Sequence, residues 1–481
     1  MTSRTTELTL FAERCVLGGV DQPLRIASAQ IEIAGGLIAT IAEMDRDVFN
    51  GQARDQTLDL GNRLVIPAFV NGHTHLAMSA FRGLQGVSNL AGNVIEDLYF
   101  TLESGLSPSD VQAFTRMGAY ESLLSGVGAV FDHYYHGQSC AEALAEVGLT
   151  GVVAPTLQDL AGPGANQFDA QLAATAAIDE SPRLSACGVY SALGPHATDT
   201  VSTDLWRRAV ELAERKGLPV HAHVAQSFDE LNRCHERHGT TPIEWLAREG
   251  LLATDVGTLL VHAIFVTAED LRRLSGDRHT LGFCPYSQVE FCFPANVGAW
   301  HAAGLRWLIG TDCAPSNDAM DVQKELRLAS GLHAFEVTFS PARATFQRRG
   351  GEGSAASLDG LRRAALKRSA EMREPRFLLD RVWSIPGAWH PRLRCGALEP
   401  GRWANLLILD PDHPTLWPAQ DPWRALAMSN VAPAIESMIV GGRFVGAPGQ
   451  FHESVRSSPE YRDALREADA RLRAHRARLG L

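Results

Sequence analysis

The sequence is short of positive charge. Its 481 residues carry 44 Lys and Arg against 55 Asp and Glu, giving a formal charge of −11 that no basic stretch offsets. A chain without a cationic patch lacks the usual means of neutralising phosphates, so nucleic acid and anionic membranes are not expected partners. Long apolar runs are missing too: no stretch of about 18 uncharged apolar residues occurs. The N-terminal MTSRTTELTLFAERCVL has no apolar segment followed by a cleavage site. Paired cysteines are also lacking. Cys15, Cys140, Cys187, Cys234, Cys284, Cys292, Cys313 and Cys395 are scattered, none in a CxxC pair, which suits reduced thiols. The expectation is a soluble, cytoplasmic protein whose partner is a small molecule, assembled as a homo-oligomer. No sustained repeat or low-complexity tract breaks the chain.

What is present is a 45% hydrophobic composition, enough for a large core, in two textures. From Leu8 to about Leu64, short alternating runs (RIASAQIEIAG, GLIATIAEM, TLDLGNRLVIP) are separated by Gly and polar residues and predict β-strands. From Ala68 to Pro386, apolar runs such as GVGAVFD, TGVVAPT, PVHAHVA, GTLLVHA and LRWLIGTD alternate with helical stretches such as TDLWRRAVELAERKG. Repeated strand-then-helix predicts an α/β fold with a parallel sheet covered by helices. The length exceeds the roughly 250 residues of a bare (β/α)₈ barrel, so a second unit is expected. Strand texture returns in GALEPGRWANLLILD and AIESMIVGGRFV. The domain reading is therefore a β-unit assembled from residues 1–66 and 387–456, a (β/α)₈ TIM barrel over 67–386, and a charged helix over 457–481 that packs on the surface.

Histidines and one aspartate stand where predicted strands end. In Asn71-Gly72-His73-Thr74-His75, after LVIPAFV, the two imidazoles point to one face of a strand. His221-Ala222-His223 ends PVHAHVA, His262 ends TLLVHA, and Asp312 ends LRWLIGTD. In a (β/α)₈ barrel the C-terminal strand ends form the face that carries chemistry. Imidazole nitrogen and carboxylate oxygen suit zinc and similar divalent ions, and three or four such ligands leave a position for water.

The set NGHTHLAMSAFRGL, HAHVAQ, LVHA and GTDCAPSN resembles the amidohydrolase superfamily in its cytosine–guanine deaminase and triazine hydrolase (ATZ/TRZ) branch, over nearly the whole chain. The resemblance implies that the terminal β-unit is a small β-sandwich formed from both chain termini, that His73, His75, His223 and Asp312 hold one divalent ion, zinc or alternatively iron, and that His262 is catalytic without being a ligand. Members of the family follow their strand-five ligand, three residues on, with an acidic or amide side chain. His223 with Gln226 fits that spacing and His221 with Val224 does not, which leaves His221 as a packed histidine beyond the ligands. Two-metal members bridge their ions with a lysine at the end of strand four. Only Lys216, Lys324 and Lys367 occur, and Lys216 lies at a helix end, so one ion per chain is implied.

With that ion activating water, Asp312 would take the water's proton and His262 would stabilise the developing charge. Arg82, His196, Gln226, Ser287 and Asn317 match positions expected to contact substrate. Gln288 stands where the family usually has Asn. His133 and His136, in an aromatic loop, are expected to be structural, and Asp229 and Glu230 to be solvated. Deaminating relatives place glutamate where this chain has Gln226, and a neutral amide cannot relay a proton. The reaction implied is hydrolysis of a C–N or C–X bond in an amino-heterocycle, amide or carbamate, or else deamination of a purine, pterin or triazine base. A non-catalytic assembly or sensor protein of the same fold is the remaining reading, against which stand the intact HxH and aspartate.

Overall fold

A computed structural model of the chain describes residues 8–19, 22–50, 57–86, 92–332, 334–351 and 354–480. The N-terminal alternating runs form β1 (Leu8–Gly19), β2 (Gln22–Ala34), β3 (Leu37–Glu43), β4 (Thr57–Asp59) and β5 (Leu64–Pro67). The strand-and-helix region supplies β6 (Phe69–His75), β7 (Val127–Tyr134), β8 (Thr150–Leu157), β9 (Val189–Ser191), β10 (Gly194–Pro195), β11 (Val220–Val224), β12 (Thr258–His262), β13 (His279–Phe283), β14 (Arg306–Ile309) and β15 (Asp312–Cys313). The C-terminal strands are β16 (Leu406–Leu409), β17 (Ile435–Val440) and β18 (Arg443–Val445).

Strands from both ends share one eight-stranded sheet, in the order β18-β17-β16-β5-β1-β2-β3 with β4 on β1. Side chains alternate along it with period two. In β5 and β16, Leu64, Ile66, Leu407 and Leu409 face the main core, while Val65, Leu406 and Ile408 face a smaller core with Leu10, Ile31 and Ile439. Because β16 runs antiparallel to β5, with Leu406 opposite Pro67, the chain enters and leaves the inserted unit on neighbouring strands.

That unit is a parallel barrel. β6, β7, β8 and β9 pair in turn, β10 continues on β8, Leu193 bridges in parallel to Val220 of β11, and β11 through β14 follow. β15 then pairs with β6 and closes the ring, with Asp312 opposite Thr74. Val70, Phe131, Val152, Ala154, Val261 and Leu308 fill one cluster drawn from β6, β7, β8, β12 and β14, so the barrel is packed rather than hollow. The helices between follow from local sequence. In Thr203–Lys216, Leu205, Trp206, Ala209, Val210 and Ala213 make one buried stripe, Ser202 caps the start and Gly217, at φ 64°, ends it. Among the described residues no helix is long and apolar enough to cross a membrane.

The C-terminal helix, Pro459–Leu479, lies on Pro108–Leu124, where Arg471 and Arg478 reach Asp110. Its buried His475 donates from Nε2 to the Leu102 carbonyl at 2.7 Å, so the tail braces the short helix Phe100–Glu103.

At the closing seam a Cβ on Gly310 would lie 2.6 Å from both N and O of His73, and only glycine lets the strands approach this closely. Gly310→Ala should therefore lower the melting temperature, at a cost of roughly 1–3 kcal/mol, and reduce metal content. Gly331→Ala, with nothing within 4 Å of its Cβ, is the control. Equal melting curves and metal content for the two variants would show that the seam tolerates displacement.

Candidate metal centre

The barrel's C-terminal rim gathers seven histidines around one cavity floor: His73 and His75 from β6, His133 from β7, His196 after β10, His221 and His223 from β11, and His262 from β12. Ring centroids of His73 lie 4.8 Å from His75, 5.0 Å from His223 and 5.8 Å from His262. Asp312 completes the floor, its Oδ1 3.5 Å from His75 Nε2 and 3.8 Å from His73 Nε2.

In His73, His75 and His223 the Nδ1 atom, on the side away from the floor, is already engaged. His75 donates from Nδ1 to the His133 carbonyl at 2.5 Å, and His223 from Nδ1 to the His196 carbonyl at 2.8 Å. His73 Nδ1 meets His221 Nε2 at 2.8 Å, and His73 is the donor in the tautomer that leaves its other nitrogen unprotonated. His73 Nε2 is then buried without any hydrogen-bond partner. The Nε2 atoms of His75 and His223 face each other across 3.3 Å. A buried nitrogen lone pair without a partner is costly, and converging lone pairs of this kind fit a divalent cation. Ligand atoms of His73, His75 and His223, and likewise of His73, His262 and Asp312, lie within 4.8 Å of one another.

Burial sets the charge state. Desolvation lowers the pKa of His73 and His223 well below the usual imidazole value, and the neighbouring imidazoles add to the effect. His196 and His221 are pushed down to about 3 by burial, again helped by neighbouring histidines. For His75 and His262 burial also dominates, partly opposed by Asp312. The cluster is thus neutral near pH 7, the form that binds a metal.

Asp312 and His262 are held in unusual backbone. Both have positive φ, 63° and 74°, a region L-residues avoid at a cost of about 1 kcal/mol or more. Surrounding bonds fix them there. Ser287 donates to Asp312 Oδ2 at 2.6 Å and the Cys313 amide to Oδ1 at 2.8 Å, while Gln288 donates to the His262 carbonyl at 3.3 Å. His262 Nε2 is 3.9 Å from Asp312 Oδ2.

Above the floor is a cavity of about 360 Å³, lined by His75, His133, His196, His223, Gln226, His262 and Asp312, with Glu103 and Asp229 among its other polar walls. Three of the residues expected to contact substrate sit elsewhere. Arg82 points outward and pairs with Glu121. Ser287 is spent on Asp312, and Asn317 donates to the Thr311 carbonyl at 2.7 Å and to Glu325 at 2.9 Å. Two further expectations need correcting. Glu230 is fully buried rather than solvated, accepting from the Gln226 amide at 2.7 Å and the Thr198 hydroxyl at 2.5 Å, whereas Asp229 is half-exposed and lines the cavity. His133 lines the cavity as well, its Nδ1 3.0 Å from Thr156 Oγ1 and its Nε2 without a partner, whereas His136 donates to the Leu106 carbonyl away from the site. The signal for His133 was its place at the end of GVGAVFD, a strand end like the others. Glu103 lies in the helical segment before Pro108, which no strand-end pattern marks.

Replacing His73 or His223 with alanine should abolish stoichiometric metal. His221→Ala is expected still to bind, about 10–100-fold more weakly, if its contact with His73 Nδ1 serves to orient that ring. Metal analysis with a chelator titration reads this, and full loss in His221→Ala alone would reverse the assignment. A second outcome concerns Glu103, whose carboxyl lies beside the Tyr134 hydroxyl and near Tyr135, and whose pKa burial pushes up to about 8. The folded-state value is above the ordinary 4.5, so the wild type is penalised progressively as pH rises from 4.5 through about 8. Glu103→Gln should gain melting temperature over wild type across that window and level off above it. A constant difference with pH would place the proton elsewhere.

Comparison with known proteins agrees with this geometry. A model of the amidohydrolase family matches residues 64–445. The 5'-deoxyadenosine deaminase of Methanothrix thermoacetophila is 31% identical over 347 residues, covering 70% of this chain and 81% of the relative. Among solved structures, a zinc-bound adenosine deaminase from Xanthomonas campestris superposes with a TM-score of 0.76 at 18% identity, covering 97% of this chain and 98% of that one. An atrazine chlorohydrolase from Arthrobacter aurescens complexed with zinc gives 0.75 at 19% identity, covering 97% and 100%. Family model, relatives and the histidine–aspartate floor of the barrel converge: the chain belongs to the amidohydrolase family.

Proposed function

We propose that the chain hydrolyses a carbon–nitrogen bond in a small amino-heterocycle, with one zinc ion per chain held by His73, His75, His223 and Asp312. The observation that carries the reading is the convergence of three neutral Nε2 atoms and a carboxylate on the floor of one cavity. Three nitrogens and one oxygen suit zinc, which when bound supplies Lewis-acid activation of water. Zinc in the two solved relatives supports that choice over iron. A single ion fits the lysines: among the described residues none lines the cavity, and Lys216 is held by Glu180 and Asp179 outside it. The eight free thiols suit a cytoplasmic protein, and a homo-oligomer remains part of the proposal.

Asp312 takes the proton of the attacking water. Ser287 and the Cys313 amide keep its carboxylate aimed, so little reorganisation is needed. His262, beside Asp312 and facing the cavity, stabilises charge developing on the substrate. Gln226 lines the wall next to His223 and binds the polar edge of the heterocycle through its amide. His196 lines the wall behind, fixed by Thr200 at 2.8 Å. Deamination of an adenosine-type base is the form that the 31% identical relative favours. A second reading, displacement of a leaving group that needs no ring protonation, is favoured by the neutral side chain of Gln226.

His262→Asn should keep one equivalent of zinc and lose most of its turnover; loss of metal and rate together would move His262 among the ligands. For the choice of reaction, wild type and Gln226→Glu are compared on aminopurines, aminopyrimidines, triazines, amides and carbamates. Slow deamination of ordinary aminopurines by wild type, raised in Gln226→Glu, supports the second reading. Efficient wild-type deamination that survives Gln226→Ala would show that this position takes no part in choosing the reaction.

A further inference from the structure

The cavity is two-faced. Its floor is the neutral histidine cluster with Asp312, and its polar walls carry two more carboxyls, Glu103 and Asp229. Among the described lining residues there is no lysine or arginine. The nearby arginines are committed elsewhere: Arg82 to Glu121 and Arg233 to Glu96 and Asp199. No lysine or arginine on these described walls can pair with a phosphate or carboxylate, and burying an anion without a compensating charge is unfavourable.

The mouth is aromatic. Phe228 follows β11, Phe265 follows β12 and Phe293 follows β13, so three consecutive strand-end loops each contribute one ring. The Phe228 ring lies tilted against Phe265, centroids 4.4 Å apart, and meets Phe293 edge-on at 5.0 Å, and Phe265 lies 5.6 Å from Phe293. The trio lines the cavity yet leaves Phe228 51% and Phe293 45% exposed. Large aromatic side chains held in mutual contact at a cavity edge, and not covered by protein, offer apolar area that an occupant of the cavity would bury. Asp229 follows Phe228 directly and lines the same side.

We infer that the substrate carries an apolar substituent without negative charge, which seats on Phe228, Phe265 and Phe293 while the heterocyclic head meets the histidine floor, and that Asp229 and the absence of cations exclude anionic analogues. The inference rests on the amino-heterocycle reading above and deepens it to a substrate class. Phe228, Phe265, Phe293 and Asp229 are then residues that determine specificity, distinct from those that hold metal or move protons.

The test uses the zinc-loaded protein and a series of adenosine analogues that differ only at the 5' position: 5'-deoxy, 5'-alkylthio of increasing length, 5'-hydroxyl and 5'-phosphate. Equilibrium binding is measured on His262→Asn, so that ligand is not consumed, and kcat/KM on wild type. Expected is an affinity that rises with alkyl length and falls at least roughly tenfold for the phosphate. Phe228→Ala and Phe293→Ala should erase the gain from the alkyl chain, through KM and not kcat, and leave the 5'-hydroxyl compound nearly unchanged. Asp229→Lys, which leaves the aromatic packing intact, should raise phosphate binding relative to the neutral analogues. Equal binding of phosphate and alkylthio analogues by wild type, or an equal loss for every analogue in the phenylalanine variants, overturns the inference. If wild type turns over none of the series while the binding order holds, the deamination reading falls and the selectivity stands.

Discussion

The commitment of the Nδ1 atoms of His73, His75 and His223 is the interaction on which the centre depends. An imidazole has two nitrogens, and in its neutral form only one can offer a lone pair. The His133 and His196 carbonyls and His221 take the Nδ1 side of His75, His223 and His73, so the Nε2 lone pairs are directed inward without choice. Two of the acceptors belong to the neighbouring strand or the loop that follows it, and His221 reaches His73 from β11 across the barrel. Barrel closure and ligand orientation are therefore one event, because a shift of one strand against the next would take the acceptor from its histidine. His196 shows the economy of this, since its carbonyl receives both the backbone amide of His223, at 2.9 Å, and its ring.

The seam between β6 and β15 brings the aspartate in. Asn71 donates to Thr311 Oγ1 at 2.7 Å and accepts from the Thr311 amide at 3.0 Å, a two-bond clamp buried in the barrel. The Thr311 amide belongs to that clamp while also lying 3.0 Å from the His73 carbonyl, and Thr74 donates to the Asp312 carbonyl at 3.2 Å. The NGHTH segment thus works along its whole length. Asn71 ties the seam, Gly72 and Gly310 permit the close approach, the histidines face the floor and Thr74 holds the next strand. Backbone strain at Asp312 is tolerable because these contacts over-determine its position.

Much of this was legible in the sequence, for identifiable reasons. Strand ends are marked by apolar runs that stop at a polar residue, so the sequence alone places His73, His75, His223, His262 and Asp312 on one rim. The terminal sheet was visible in period-two alternation. Contacts that depend on side-chain direction beyond a strand end were not legible. Arg82 sits in AFRGL just past β6, but the turn Leu76–Phe81 carries it outward to Glu121. Ser287 and Asn317 lie on the right loops yet face the framework, where Asp312 and Thr311 compete for their hydrogen bonds. Glu230 misled through its polarity: it begins a helix one turn after β11, and the Thr198 hydroxyl and the Gln226 amide draw it into the interior. The aromatic mouth could not be assembled from sequence at all, because Phe228, Phe265 and Phe293 are neighbours only once three loops are stacked on adjacent strands.

Seven imidazoles in one buried floor make an unstable arrangement by themselves. Each is neutralised by desolvation, and the nitrogens left over have nowhere to donate or accept: Nε2 of His73 and of His133, and Nδ1 of His221, have no partner. Every such buried polar atom costs about 1–3 kcal/mol. A cation on the floor reverses the balance for the ligand nitrogens, since it takes up lone pairs that water cannot reach and offsets the charge of Asp312. Folding and metal binding are then linked, because the unfolded chain holds no preformed site and the affinity of the folded one appears as added stability. The same linkage explains why the framework around the floor is so heavily bonded. The clamp at Asn71, the Ser287 bond and the carbonyl acceptors hold the ligands in place through any interval without metal, so the strand ends do not need to reorganise when an ion arrives.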